Sequence, residues 1–225
     1  MSSTDLTTRV AAFFDVDCTL LDVNSGRKWL AHRLRQGRVP IRSLLRSWWW
    51  LVQHRLSVLD VDKAAERALE DYRGERVDLL EREVEDWFER DIAPAITARG
   101  RQLVDEHQRA GHVVALLSSG PTFSVQQLGR RLGIEHMLCT EPQTHDGIMT
   151  GKIVPPACYG PGKVVRAEQF ATMHDIDLKA SYFYTDSYSD MPMLRRVGQP
   201  RAINPDPRLR RHARAHGWEI EQWTR

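Results

Sequence analysis

Two acids, Asp15 and Asp17, close the apolar run in AAFFDVDCTLLD, with Thr19 just beyond. A carboxylate at the end of a core strand is costly unless it is paired, hydrogen-bonded or bound to a metal. On a strand, residues i and i+2 face the same side. If that geometry persists to Asp17, both acids enter one pocket, where one can attack and the other can handle protons. Two solvated loop acids would show the same D-x-D pattern. A second apolar run ends in LLSSGPT, at Ser118 and Ser119. A hydroxyl there, followed by the N–H groups that open a helix, suits a phosphate oxygen, although a plain helix cap uses the same residues. Lys163, in YGPGKVVRAEQF, falls in the first turn of a helix. A cation is mildly unfavourable there against the helix dipole, and the placement makes sense beside an anion. A surface lysine is the simpler alternative. Asp186 and Asp190, in YFYTDSYSDMPML, stand four residues apart with Ser187 and Ser189 nearby. Hard oxygen donors at a strand end suit Mg²⁺, which takes one or two carboxylates, waters and substrate phosphate; an acidic turn capping the next helix is the alternative.

The elements that must position these residues can be read from periodicity. Residues 10–14 predict a first strand. From about 27 to 92 no strand is indicated, and apolar residues recur at helical spacing: Ile41, Leu44, Leu45, Trp48 and Val52 in one stripe, Ala64, Ala65, Ala68 and Leu69 in another, and Val77, Leu80, Val84, Trp87 and Phe88 in a third. After Pro94 the pattern alternates. A helix closed by Gly111 precedes the strand HVVALLSSG, and a helix ending at Gly133 precedes a strand at HMLCTE. THDGIMTGKIV predicts a hairpin turning on Asp146 and Gly147. A helix at GKVVRAEQFATMH, a strand at ASYFYT and a short strand at PRAIN follow. A last helix has Asp206 as N-cap and Pro207 at its first position. Alternation of this kind predicts an α/β fold: a Rossmann-like, doubly wound, mainly parallel sheet with helices on both faces. Ligands of such sheets bind at the carboxyl ends of the strands. That rule gathers Asp15, Asp17, Ser118 and Asp186 at one edge. The expected organisation is a catalytic core of residues 1–24 and 95–225, with residues 25–94 inserted as an all-helical cap.

The bulk numbers narrow the class. The 225 residues carry a net charge of +2, so nothing in the total calls for nucleic acid. The basic run RLRRHARAH lacks interleaved aromatics and reads as a solvated helix face. Three scattered cysteines, Cys18, Cys139 and Cys158, fit a reducing cytoplasm better than a disulfide framework. The polar start MSSTDLTTRV carries no signal-peptide stretch, and no run approaches the ~18 apolar residues of a membrane span. The cluster Trp48–Trp50, in IRSLLRSWWWLVQHRL, could meet a membrane surface, but burial within a helical bundle is the preferred reading.

In this order and at this sheet edge, the four elements resemble the haloacid dehalogenase-like hydrolase superfamily. Its pattern is D-x-D-x-T, a strand-end Ser or Thr, a Lys and a paired acidic motif, matched by Asp15/Asp17/Thr19, Ser118, Lys163 and Asp186/Asp190. The insert position, YTDSYSDMPML and GPGK are similar to the phosphoserine-phosphatase-like branch, the subfamily IB hydrolases. Position 18, often glycine in the family, is Cys18. The glutamate that grips the substrate amine in phosphoserine phosphatases has no match in LLDVNSGRKW, where Asp22 is shifted and Asn24 stands nearer the place. The resemblance implies a Mg²⁺-dependent phosphomonoesterase of a small phosphorylated metabolite. Asp15 would be the nucleophile and Asp17 the acid and base. Ser118, Ser119 and Lys163 would hold phosphate, and Asp15, Asp186 and the carbonyl of Asp17 would hold the metal, with Asp190 orienting a metal-bound water. A phosphotransferase or mutase of the same superfamily, or a lipid-phosphate-binding protein using the Trp-rich helix, are the alternatives. Oligomeric state is not encoded in any motif.

Overall fold

A computed structural model describes residues 8–38 and 60–224. The Trp48–Trp50 cluster and the stripe from Ile41 to Val52 lie outside the described residues. The sheet has seven strands: β1 (Ala11–Phe14), β2 (Val113–Pro121), β3 (His136–His145), β4 (Ile148–Val154), β5 (Tyr182–Thr185), β6 (Gln199–Ile203) and β7 (Glu219–Glu221). Their spatial order is β4-β3-β2-β1-β5-β6-β7, parallel throughout except for the β3–β4 hairpin. The expected mainly parallel α/β sheet is the fold observed. β7 carried no clear signal, because three residues in EIE are too few to show a period.

β1 is central and buried on both faces, which is why its sequence is continuously apolar rather than alternating. Ala12 and Phe14 pack on one side with Val114, Leu116, Leu80, Val84 and Trp87. Ala11 and Phe13 pack on the other with Ala115, Phe170, Phe183, Met193 and Leu209. Among the described residues the α-helices are α1 (Ser25–Arg35), α2 (Val61–Leu69), α3 (Val77–Trp87), α4 (Ala98–Arg109), α5 (Thr122–Leu132), α6 (Pro161–Met173), the short α7 (Met191–Leu194) and α8 (Pro207–Ala215). Several ends follow their sequence signals. Gly133 closes α5 in the left-handed conformation. Asp206 caps α8, accepting from the N–H groups of Arg208 and Leu209, with Pro207 opening the helix. Asp146 and Gly147 both have positive φ (48° and 73°), as a two-residue hairpin turn matched to strand twist requires.

Among the described residues between β1 and β2, the regular elements are helical. A loop there pairs with the hairpin of the sheet. Gly74 N–H donates to the Met149 carbonyl, Met149 N–H to that of Glu75 and Val77 N–H to that of Gly147, each at 2.9 Å. The Asp62 carboxylate also accepts from the Ala157 N–H at 2.7 Å.

Behind β1, the ring of Tyr184 stacks on Phe14 at 4.6 Å, and its hydroxyl meets His107 Nε2 at 2.8 Å. His107 Nδ1 lies 2.7 Å from His112 Nδ1. Burial, then His112, pushes the His107 pKa down to about 4, whereas the unfolded chain takes up that proton near ~6.5. The unfolded state therefore binds more protons between these values, and stability falls as pH drops through this window. Thermal melts from pH 7 to pH 4 should show a loss, of which His107→Gln removes about 2 kcal/mol, a figure that allows for the ring's partial solvation.

Candidate active site

β1 stops at Phe14, one residue before the first acid. Asp15 stays extended, with φ −69° and ψ 157°, and its N–H continues the ladder to the Tyr184 carbonyl of β5. Asp17 is also extended (φ −69°, ψ 133°). The chain then turns at Cys18, whose φ of 58° is left-handed. A non-glycine residue there costs about 1–2 kcal/mol, which gives glycine its physical advantage at this position. Cys18 is held by its N–H to the Val23 carbonyl and by Asn204 Nδ2 donating to its carbonyl. Burial, with Asp186, Asp17 and Asp15 nearby, pushes its thiol up to about 11, so it stands beside the acids as a neutral group. Thr19 is fully buried and its hydroxyl has no hydrogen-bond partner.

The acids have different partners. Asp15 is buried and accepts from Lys163 Nζ at 2.8 Å. The same ammonium donates to Asp190 Oδ2 at 2.7 Å, and the Thr185 hydroxyl donates to that oxygen at 2.7 Å. Lys163 and Asp190 are 2% and 1% exposed, so one cation serves two carboxylates out of reach of water. Burial opposes the lysine's charge, but Asp15 and Asp190 outweigh it and hold its pKa above the usual range. Asp15 is nevertheless pushed up to about 7, chiefly by burial and against the pull of Lys163. Half-buried Asp186, just past β5, is pushed up to about 7 by burial and by the charges of Asp15 and Asp190. Asp17 has a different partner and accepts from the Ser25 N–H at 2.9 Å. Burial raises its pKa despite the hydrogen bonds from Ser25 and Gly26, which favours the proton-carrying form.

Ser118 ends the buried part of β2, with its Oγ accepting from the Gly120 N–H at 3.2 Å. Ser119 is exposed, and its carbonyl accepts from the Thr140 hydroxyl. The structure thus brings Asp15, Lys163, Asp190 and Asp186 together and sets Asp17, Ser118 and Ser119 beside them. Within it, Lys163 lies on Asp15 and Asp190, and Asp190 lies on Lys163 and Thr185.

Lys163 reaches this place because α6 begins against the chain before it. A Cβ on Gly162 would stand 1.9 Å from the Ala157 carbonyl oxygen. Gly162→Ala should therefore displace the start of α6 and with it the ammonium. A fall in turnover of at least ~10-fold, together with a lower melting temperature, is the expected result.

A cavity of about 450 Å³ is lined by Asp17, Ser119 and Gly120 together with residues of α1, α2, the turn after α2 and the start of α5, among them Trp29, Arg33, Arg67, Tyr72 and Phe123. These wall residues were not singled out by sequence reasoning, since they come from separate elements and share no spacing. Asn24 is occupied at the N-terminus of α1, where its side chain accepts from the Arg27 N–H.

No three His, Cys, Asp or Glu side chains gather in ligating geometry among the described residues. Mg²⁺ asks for less, namely one or two carboxylates with water and substrate oxygens completing the shell. Asp15 and Asp186, two neighbouring carboxylates pushed up chiefly by burial and by the charges of Asp15 on Asp186 and of Asp190 on both, fit that requirement.

Comparison with known proteins gives a consistent result. The model of a family described as haloacid dehalogenase-like hydrolase matches residues 12–195. A phosphoserine phosphatase of Mycobacterium tuberculosis is 35% identical, over 97% of this chain and 72% of that protein. A histidinol-phosphatase of Neisseria meningitidis is 30% identical, over 93% of this chain and 96% of that one. A crystal structure of a protein with unknown function from Bordetella pertussis superposes with a TM-score of 0.86 at 32% identity, covering 96% of this chain and 99% of the other.

Proposed function

The chain belongs to the haloacid dehalogenase-like hydrolase family and is a phosphatase by class, and from that premise we propose that it hydrolyses a small phosphorylated metabolite through an aspartyl-phosphate formed on Asp15. The observation that carries this reading is the buried Lys163 joining Asp15 to Asp190, beside an Asp17 that opens onto a cavity. Lys163 engages one oxygen of Asp15 and leaves the other free to attack phosphorus in line. Asp17, with its raised pKa, gives its proton to the departing alkoxide. It then takes a proton from the water that breaks the acyl phosphate. Ser118 and Lys163 meet the oxygens of the transferring group, whose charge needs compensation in the transition state. We assign residues 25–94, of which 39–59 lie outside the described residues, to the cap on the alcohol side of the site.

Mg²⁺ is the metal we propose, held by the carboxylates of Asp15 and Asp186 and the carbonyl of Asp17, with Asp190 fixing Lys163. When bound it supplies positive charge to the phosphoryl oxygens. The substrate is a soluble phosphomonoester rather than a nucleic acid. No helix among the described residues is long and apolar enough to cross a membrane. A cytoplasmic location is our proposal from the free cysteines Cys18, Cys139 and Cys158. A phosphate-release screen over O-phosphoserine, histidinol phosphate, phosphocholine and sugar phosphates, with and without Mg²⁺, tests the reading. Turnover should require Mg²⁺, stop on chelation and be poorly restored by Ca²⁺, whose coordination is larger and less regular. Full activity after exhaustive chelation would refute the metal requirement.

A further inference from the structure

The wall of the cavity facing Asp17 and Ser119 is aromatic. Trp29 comes from α1, Tyr72 from the turn after α2 and Phe123 from the first turn of α5. Tyr72 and Phe123 are neighbours at 5.8 Å. The polar end of Trp29 is already engaged, with Nε1 donating to Tyr72 Oη at 2.6 Å. The guanidinium of Arg33 lies 5.8 Å from the Trp29 ring centre and 5.0 Å from that of Tyr72. That guanidinium is 4% exposed and is neutralised by Glu75 and Glu83. It therefore fixes the two rings and has its charge matched within the protein. These contacts tie the Trp29 and Tyr72 rings to each other and to Arg33 independently of any ligand, and preorganisation of this kind favours binding. Three aromatic side chains drawn from three separate elements make a wall suited to a flat partner, because aromatic pairs gain from offset or edge-to-face contact.

Resting on the phosphatase reading above, we propose that this wall selects phosphomonoesters whose alcohol carries a flat ring, and that Trp29, Tyr72 and Phe123 are the residues that set this preference. The phosphate sits at Asp15, the ester oxygen faces Asp17, and the ring extends past Ser119 onto the aromatic wall.

The test compares kcat/KM for phenethyl phosphate, cyclohexylethyl phosphate, ethyl phosphate and O-phosphoserine. All four are esters of primary alcohols, so leaving-group chemistry differs little. Phenethyl phosphate should exceed ethyl phosphate and O-phosphoserine by about tenfold or more, and it should also exceed its cyclohexyl counterpart. Phe123→Leu and Tyr72→Leu, checked by thermal melt, should each reduce the ratio of phenethyl to ethyl phosphate by about fivefold. The wild-type comparison decides the matter alone if either variant fails to fold. Ethyl phosphate or O-phosphoserine turned over as well as phenethyl phosphate overturns the ring preference and leaves the phosphatase reading standing. Equal rates for the phenyl and cyclohexyl esters overturn the requirement for flatness. Release of phosphate from none of the four, while the wider metabolite panel is hydrolysed, overturns the ring preference alone; no release from any ester of either panel overturns the phosphomonoesterase reading and this one with it.

Discussion

Asp15→Asn is expected to leave no measurable turnover in a protein that still folds. The amide keeps the shape of the carboxylate and can still accept from Lys163, but it is a poor nucleophile towards phosphorus. Because uncatalysed phosphate-monoester hydrolysis is extremely slow, little background remains to mask the loss. A fall on the order of 10⁵-fold or more is expected from removal of a nucleophile that acts with its neighbours as a unit. The melting temperature should stay level or rise in metal-free buffer at neutral pH, since the substitution removes a buried carboxylate that burial disfavours in its charged form. Initial rates of phosphate release and thermal melts on the same preparation check both halves. Turnover near that of the wild type would remove Asp15 from the mechanism.

Lys163→Met should damage activity and stability together. The substitution leaves Asp15 and Asp190 facing each other without the cation that joins them. Removing one partner from a buried ion pair costs about 3–5 kcal/mol. The sign of the pH dependence separates this cause from simple loss of packing. Without the ammonium, Asp15, already pushed up by burial against the pull of Lys163, holds its proton more strongly in the folded protein than in the unfolded chain. Stability of the variant should then be greatest below pH 4 and decline as the pH rises through neutral. Melts of the variant in chelator from pH 4 to pH 8 make the measurement, and a deficit independent of pH would assign the loss to packing instead.

The mainly parallel sheet was legible because buried parallel strands are continuously apolar, and Asp15 and Asp186 each follow one directly. Asp146-Gly147 and Asp206-Pro207 were legible because positive φ and helix capping admit few residue types. The four candidate motifs could be assigned to a common edge from topology alone. What could not be read was the detail of pairing. Whether Lys163 meets a phosphate or a carboxylate depends on where the start of α6 lies relative to β1 and β5, a distance no local pattern encodes. The cavity wall was equally hidden. Trp29 and Phe123 present themselves in sequence as ordinary core residues, and only their approach across chain separations of about a hundred residues makes a surface of them.

The pairing of the Gly74–Val77 loop with the β3–β4 hairpin also bears on solubility. β4 is an outer strand of the seven, and an outer strand offers unpaired N–H and C=O groups on which another chain can assemble. The loop occupies part of that template at Gly147 and Met149. At the opposite margin, β7 is only three residues long and gives an incoming chain little to grip. The two flanks of the sheet are thus blunted by different means, one by a backbone cover contributed from within the same molecule and the other by brevity.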